Sequence, residues 1–284
     1  MIRAEAIPAK VAISFLAVAA LCHAKRFHAE GVVLRVDPAE RTVVISHRAI
    51  PGYMDAMAMP FRAANARELA NLRPGETVTF DLVVSGKLSR VERIKAAKRD
   101  TIEDDGEKIS ITLPAEKLPL GAQVPDFQLM DQAGETVSLS AFKGKVVAVN
   151  FIYTRCPLPE VCPRLSAHFA QVQRRFGDLM GKDVVLLSVT LDPQYDTTAT
   201  LAAYAKIWRA EHSGWKFLSG SEEEIGRVAR AFGMVYWPEE GLVAHTSETG
   251  VIGRRGQLSA LVSGSRFTAA QIGDLIAAEL EDIR

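Results

Sequence analysis

The sequence predicts two folded units, a small all-β domain followed by an α/β domain. Residues 30–98 alternate apolar and polar side chains with tight turns between the segments, which is typical of antiparallel strands. Residues 118–284 alternate continuous apolar segments with segments of helical period, which is typical of an α/β layer fold. A charged stretch containing Pro and Gly, residues 99–117, separates the two patterns and is interpreted as a linker.

The length and charge of the chain limit its function. A chain of 284 residues is long enough for two modest hydrophobic cores. The 34 Lys and Arg residues are balanced by 34 Asp and Glu residues. Because phosphate binding requires a basic surface, this neutrality argues against nucleic acid as a partner.

The N-terminal residues 1–24 resemble a targeting segment. Basic residues precede an apolar run at 11–21, which is shorter than the ~20 residues that cross a bilayer. This pattern predicts a secretory signal peptide, and therefore a periplasmic or otherwise exported protein. An uncleaved N-terminal membrane anchor is the alternative. Cys22 would suit a lipoprotein, but Leu21 before it is larger than the usual residue at that position.

The all-β prediction for residues 30–98 depends on three segments. They are "GVVLRVDPAERTVVISH", "AMPFRA" and "ETVTFDLVVSGKLSRVERIKAA", with turns at Asp37-Pro38 and Ser85-Gly86. A unit of roughly 65 residues suits a five-stranded, OB-like barrel.

The elements of the α/β domain follow one another regularly. A hairpin is predicted in "VPDFQLMDQAGETVSLSAF", and buried strands in "KVVAVNFIY" and "DVVLLSVTLD". Helical period occurs in "PRLSAHFAQVQRRFGDLM", in residues 197–210, and in "SEEEIGRVARAFG", which has a Ser N-cap. The segment "HTSETGVIGRRGQLSALVSG" predicts a second hairpin, and the last helix is expected from Thr268.

The stretch "NFIYTRCPLPEVCPRLS", residues 150–166, contains two of the three cysteines. Cys156 follows a strand and Cys162 precedes a helix, whose positive end favours a thiolate. Pro163 suits the first helical position. The strand–Cys–helix order is the thioredoxin arrangement, although five residues separate the cysteines. A structural disulfide, a dithiol redox pair and a metal site are all consistent with the stretch itself.

His245 favours the metal interpretation. It precedes the strand that should lie beside the cysteine strand in a thioredoxin-like sheet. A single histidine is more often structural than a ligand. Two thiolates and one imidazole, however, form a three-coordinate set that suits the soft ion Cu(I).

Three motifs, "YTRCPLPEVCP", "SVTLDPQYDT" and "VAHTSETGVIGRRGQ", resemble the Sco/SenC family of copper chaperones. These are thioredoxin-fold proteins that deliver copper to the binuclear centre of cytochrome c oxidase. The resemblance covers residues 118–284 and implies copper bound by Cys156, Cys162 and His245. The family usually has three residues between its cysteines, so the five found here are interpreted as a loop insertion.

The second motif, "DPQYDT", has two interpretations. The residues themselves predict a turn and a helix N-cap. The resemblance places Asp192 and Asp196 near the copper loop, where they would support the site indirectly.

The all-β domain carries a second group of soft donors. Met54, Met57 and Met59 lie close together, with Met57 and Met59 on one face of a strand and His47 at the end of the preceding strand. Methionine in a strand is usually core filler. A soft-metal site is the alternative.

The segment "MAMPF" is similar to the end of the motif of CusF-type periplasmic barrels, which bind copper and silver. This resemblance implies His47, Met57 and Met59 as ligands. The aromatic residue that covers the ion in that family has no direct match, because Met54 occupies its position beside Tyr53. Either Met54 is a further ligand or Tyr53 covers the ion.

The predicted function is that of an exported Cu(I) metallochaperone, not an enzyme, that passes copper to a cytochrome c oxidase subunit by ligand exchange. One alternative is a periplasmic thiol–disulfide oxidoreductase that uses a Cys156–Cys162 disulfide against copper-site cysteines. Such enzymes place a cis-proline before the strand facing the dithiol, where this chain has Ala244 and His245. The other alternative is copper sequestration for tolerance.

Overall fold

A computed structural model describes residues 24–86, 88–96, 117–239 and 241–281. The predicted signal segment 1–24 lies outside the described residues except for Ala24, and so does the predicted linker 99–117 except for Lys117. In the part of the chain that is described, no helix has the length and apolar character needed to cross a bilayer.

The N-terminal unit is a five-stranded antiparallel sheet in the order β3-β2-β1-β4-β5. An isolated parallel bridge between Ala63 and Val91 brings the end of β3 back to β5 and curls the sheet towards a barrel. This arrangement confirms the all-β prediction. The strands are β1 (Lys25–Asp37), β2 (Thr42–His47), β3 (Met57–Arg62), β4 (Thr77–Ser85) and β5 (Leu88–Ala96).

The period-two pattern of these strands explains their packing. On β2, the alternate residues Val43 and Ile45 are fully buried in the barrel core. His47, two residues further along β2, has the same side-chain direction. The barrel interior therefore includes an imidazole at one end of β2.

The C-terminal unit contains a seven-stranded mixed sheet in the order β14-β13-β8-β9-β10-β6-β7, and a separate ribbon of β11 and β12. Its strands are β6 (Gln128–Asp131), β7 (Thr136–Ser138), β8 (Val146–Ile152), β9 (Val184–Thr190), β10 (Trp215–Ser219), β11 (Tyr236–Glu239), β12 (Leu242–His245), β13 (Glu248–Ile252) and β14 (Leu258–Ser263). Its helices are α1 (Cys162–Phe176), α2 (Thr198–Ile207), α3 (Glu222–Ala231) and α4 (Ala269–Glu281).

Helices cover both faces of this sheet, which confirms the α/β prediction. Residues of α1, α2 and α4 join one core cluster, and residues of α3 join the cluster on the opposite face. Every residue of β8 and of β9 is buried, because these parallel neighbours lie in the middle of the sheet.

The N-caps agree with the sequence at α3 and differ at α2. The Ser221 side chain accepts a hydrogen bond from the Glu224 N–H at the start of α3. At α2 the cap is Thr197, which accepts from the Thr200 N–H at 3.2 Å. The N-cap role that the turn pattern assigns to Asp196 is therefore wrong, because this carboxylate is buried against other partners.

The two units contact each other directly. The Ser46 hydroxyl on β2 donates to Asp274 of α4 at 2.5 Å, and the Gln271 side-chain amide donates to the Ser46 carbonyl at 3.0 Å. Val32 of β1 belongs to the same core cluster as α1 and α4. The barrel therefore packs against α4 through the outward-facing side chains of β1 and β2.

Candidate metal centres

The two cysteines lie at the two ends of one loop. The strand β8 ends at Ile152 and α1 begins at Cys162, with Pro163 in its first turn. Both thiols are free, with Cys162 buried and Cys156 half-buried. The strand–Cys–helix order of the thioredoxin arrangement is therefore present, with the loop of five residues between the cysteines.

His245, the last residue of β12, lies beside Cys162. Its Nε2 atom lies 3.7 Å from the Cys162 Sγ atom. Its Nδ1 atom is 2.6 Å from the Thr246 carbonyl, which can only accept, so Nδ1 carries the ring proton. Nε2 is consequently the ring nitrogen that faces the thiol.

The electrostatics of the pair are asymmetric. Hydrogen bonding from the Cys162 side chain lowers the pKa of Cys156, and His245 and the Cys162 backbone N–H add to this effect against the opposing effect of burial. The same side-chain hydrogen bond, together with burial, raises the pKa of Cys162. Cys156 is therefore the more acidic of the two thiols, and Cys162 keeps its proton more strongly. A metal ion that binds both sulfurs has to displace that proton.

Asp196 supports the loop that leads into Cys156. Its buried carboxylate accepts hydrogen bonds from the Thr154 N–H at 3.1 Å, from the Thr154 hydroxyl, and from the Thr190 hydroxyl at 2.5 Å. Burial raises the pKa of Asp196, and these hydrogen bonds oppose the increase. The carboxylate therefore connects the ends of β8 and β9 beneath the loop.

Asp192 holds the next residue of the same loop. It accepts a hydrogen bond from Arg155 Nε at 2.7 Å, and the Arg155 guanidinium lies over the Tyr195 ring at 4.8 Å. Both carboxylates of "DPQYDT" therefore bind residues that immediately precede Cys156.

Sequence reasoning missed three residues of this site, Tyr153, Thr154 and Arg155. The buried Tyr153 ring packs edge-on to His245, with ring centres 5.8 Å apart. Burial and then the charge of Cys156 raise the pKa of Tyr153. The only sign of these three residues in the sequence is their position just before Cys156, and that position does not specify what each side chain contacts.

The barrel brings His47 and Met57 side by side. These two residues are opposite each other in the β2–β3 register, and Met59 is opposite Ile45 two residues away. The Cβ atoms of such cross-strand pairs lie about 5 Å apart. The His47 ring packs edge-on to Phe61, which shares the inward face of β3 with both methionines.

His47 has the same ring orientation as His245. Its Nδ1 atom donates to the Arg48 carbonyl at 2.7 Å. The side chain is buried, with 2% of its surface exposed, and Nε2 has no hydrogen-bond partner among the described residues. A buried imidazole nitrogen without a partner is energetically unfavourable in an apolar site. This lone pair, beside thioether sulfurs, suits a soft metal ion.

Met54 and Tyr53, the two candidates for the position of the aromatic residue that covers the ion in CusF-type barrels, lie in different surroundings. Met54 packs against the barrel core. Tyr53 is exposed and stacks on Phe27 of β1, with ring centres 4.7 Å apart. Met57 is also 47% exposed, so the candidate site opens to solvent on this side.

A third group of possible ligands, Asp131, Glu135 and His212, lies at the other edge of the sheet. Lys216 Nζ already contacts the Asp131 carboxylate at 2.7 Å. Because the ammonium group occupies the charged oxygen, this group is interpreted as an ion-pair network.

Two family models match the chain. A model described as SCO1/SenC matches residues 116–281, and a model described as the copper binding periplasmic protein CusF matches residues 26–96. The two matches cover the α/β unit and the barrel respectively.

Individual relatives agree with the first of these matches. The SCO1 protein homolog of Bacillus subtilis is 32% identical over 146 residues, which span 50% of this chain and 74% of that protein. The mitochondrial Protein SCO1 homolog of Homo sapiens is 30% identical over 138 residues, which span 46% and 44%. The crystal structure of a SCO1/SenC family lipoprotein from Bacillus anthracis str. Ames is 28% identical, with a TM-score of 0.52, and the match covers 59% of this chain and 100% of that one.

Proposed function

This chain belongs to the SCO1/SenC family, and from that premise we propose that it is a Cu(I) metallochaperone with two copper sites. The first site consists of Cys156, Cys162 and His245. The second consists of His47, Met57 and Met59, with Met54 as a further ligand or Tyr53 as a cover.

The observation that carries the proposal is a buried thiol facing an imidazole nitrogen, with a second thiol at the other end of the same loop. The His245 Nε2 atom and the Cys162 sulfur are 3.7 Å apart, which is a separation that one ion between them can bridge. Cys162 and His245 both act to lower the pKa of Cys156, which makes its sulfur available to a soft ion. Thiolate and imidazole together favour Cu(I) over hard cations such as Mg²⁺.

Delivery proceeds by ligand exchange at the thiol site. A three-coordinate ion leaves room for an incoming ligand from the recipient, so copper need not pass through water. Cys156 is half-buried, whereas Cys162 lies in the core. Cys156 is therefore the ligand that the recipient reaches and replaces first.

The recipient follows from the resemblance of the cysteine, "DPQYDT" and histidine motifs to copper chaperones of cytochrome c oxidase. We assign a subunit of that oxidase as the copper acceptor. The predicted signal segment, residues 1–24, places the exchange outside the cytoplasm.

Copper stoichiometry of the reduced protein tests the proposal. We expect two Cu(I) ions per chain, and one after Cys156→Ser. We expect His245→Ala to weaken the thiol site by at least about 10-fold, while His212→Ala serves as a matched control at a distant histidine. Two equally tight Cu(I) ions in the Cys156→Ser protein would contradict the assignment of the first site.

The lowered pKa of Cys156 favours one second candidate, thiol–disulfide exchange. His245→Ala distinguishes the two functions, because the imidazole is a metal ligand in copper delivery, whereas in thiol–disulfide exchange it would act by lowering the pKa of Cys156. Loss of Cu(I) binding with unchanged dithiol exchange would support delivery. Loss of exchange with unchanged Cu(I) binding would support the oxidoreductase.

A further inference from the structure

Residues 264–267, in the connection between β14 and α4, contact a residue near each candidate copper site; we call them the connecting segment. The Ser265 hydroxyl donates to the Glu160 carbonyl at 2.7 Å. The Arg266 carbonyl accepts a hydrogen bond from the Arg48 guanidinium. The next residue, Phe267, is 5% exposed and packs on the His168 ring of α1 at 5.2 Å. Consecutive residues thus contact the cysteine loop, the barrel and α1.

The contact with Glu160 acts on the part of the cysteine loop that is least protected. Residues 157–160, which lie between the two cysteines, are all exposed. Asp192 and Asp196 hold the loop only where it enters, at residues 154 and 155. Ser265 therefore restrains the loop where it leads into Cys162.

Arg48, which makes the contact with the barrel, lies next to a candidate ligand of the barrel site. Arg48 directly follows His47, and its carbonyl accepts the Nδ1–H of that ring. Its own N–H donates to the Glu30 carbonyl at 2.9 Å, which fixes its backbone against β1. The position of the Arg48 guanidinium on the connecting segment is therefore tied to the position of the His47 ring.

We infer that the connecting segment couples the barrel to the cysteine loop, and that Arg48 and Ser265 are positioning residues for the thiol copper site. The inference rests on the proposed function. The barrel holds the connecting segment through Arg48, and the connecting segment holds the loop through Ser265. The barrel thus has a second role beside its own metal site, because it helps to order the loop of the other site.

The consequence for copper follows from the cost of ordering the loop. A loop that is already held in its binding geometry loses less conformational entropy when the ion binds. Breaking the link should therefore speed the release of Cu(I) from the thiol site, even when the change is in the barrel. Because coupling free energies are reciprocal, copper at the thiol site should also stabilise the contact between the barrel and the connecting segment.

The test uses the full chain with Arg48→Ala and Ser265→Ala. The controls are Arg62→Ala, an exposed arginine on β3, and Ser213→Ala, an exposed serine before β10. The first measurement is amide hydrogen exchange at Leu158, Glu160 and Val161, the residues between the cysteines that have a backbone N–H, in the reduced, metal-free protein. The second is the rate at which an excess chelator removes Cu(I) from the thiol site.

We expect both test variants to raise both rates by about 2- to 10-fold, the size of one lost hydrogen bond, and both controls to leave them unchanged. Ser265→Thr and Arg48→Lys keep a donor and should restore most of the slow rates. Restoration separates positioning from general loss of stability, because the conservative variants change the same side chains.

The inference is overturned if exchange at the amides of Leu158, Glu160 and Val161 is the same in Arg48→Ala as in Arg62→Ala. It is also overturned if the conservative variants fail to restore the slow rates. Failure of the proposed function has a different signature: the unmodified protein would take up no Cu(I) at its cysteines. The exchange measurement would still decide the coupling, because it needs no metal.

Discussion

The two candidate ligand histidines are each held by the same kind of hydrogen bond to the backbone. Each ring donates its Nδ1–H to the carbonyl of the next residue, Arg48 in one case and Thr246 in the other. This bond fixes the orientation of each ring and turns Nε2 towards the soft donors. A ligand that is already in the correct tautomer and orientation binds metal without first reorganising.

Asp196 is the residue at which the thiol site and the stability of the fold are most directly linked. Its carboxylate accepts from two hydroxyls and one backbone N–H, so Asp196→Asn places an amide N–H against groups that also donate. We expect a loss of about 1–3 kcal/mol in the free energy of unfolding, together with weaker Cu(I) binding at the thiol site. Urea unfolding and competition for Cu(I) measure the two effects.

The matched control for this prediction is Asp178→Asn, at an exposed aspartate that follows α1. A control of this kind removes the same charge without removing a buried acceptor. If Asp196→Asn behaves like Asp178→Asn in both measurements, the supporting role of Asp196 is wrong.

At the scale of elements, the hairpin β6–β7 is anchored by one buried carboxylate. Asp131 accepts from Lys216 at 2.7 Å, from His212 at 2.8 Å, and from the backbone N–H groups of Ala133 and Glu135. Burial by itself would raise the pKa of Asp131, but these hydrogen bonds together hold it below its ordinary value of 3.8. The ionised carboxylate therefore stabilises the junction of β6 with β10.

This arrangement predicts a specific pH dependence of stability. Because the pKa of Asp131 is lower in the folded state, its contribution is complete above the unfolded value of 3.8 and is lost as the pH falls through the folded value. We expect Asp131→Asn to lower the free energy of unfolding by about 1–3 kcal/mol at neutral pH, and by progressively less below about pH 4. Urea unfolding across the acid range measures the difference.

Glu135→Gln is the control, since Glu135 lies in the same turn but is exposed and no closer than 3.8 Å to His212. A constant difference between Asp131→Asn and the unmodified protein at all pH values would contradict the prediction.

At the scale of the whole molecule, the contact between the barrel and the α/β unit depends on the absence of a side chain at Gly75. Its φ angle is +88°, and an added Cβ would lie 2.8 Å from the backbone of Leu261 on β14. Ser46 and Val32 make further contacts of this interface, with α4 and the core, and Arg48 contacts the connecting segment. A close approach of two backbones leaves little room for adjustment.

Gly75→Ala should therefore separate the two units. The positive φ angle costs about 1–2 kcal/mol, and the contact with Leu261 adds a steric clash between the units. We expect calorimetry to show the barrel unfolding in an earlier transition of its own, where the unmodified protein unfolds with the two units coupled.

Gly86→Ala separates the two causes. Gly86 also has a positive φ angle, +61°, but an added Cβ there would have no neighbour within 4 Å among the described residues. An equally large effect on the coupling of the two transitions in Gly86→Ala would show that backbone strain, and not the interface, is responsible.

The sequence by itself determined most of the elements, although not β10 or the β11–β12 ribbon, and it determined which soft donors are available. Period-two alternation in the barrel, continuous apolar runs at β8 and β9, and helical period in α1 to α4 are local patterns, because side-chain direction repeats with the backbone. The positions of Cys156 and Cys162 at the ends of a strand and a helix are local in the same sense. His245 could be placed beside them only through the expected order of the sheet.

Only the tertiary structure decided what surrounds these donors. The tautomers of His47 and His245, the use of Asp196 as a support rather than an N-cap, and the contacts of Arg48 and Ser265 with the connecting segment depend on atoms brought together from distant parts of the chain. Hydrogen bonds act over about 3 Å, whereas sequence periodicity specifies direction but not distance. Roles that depend on such contacts become visible only when the strands, helices and loops are packed against one another.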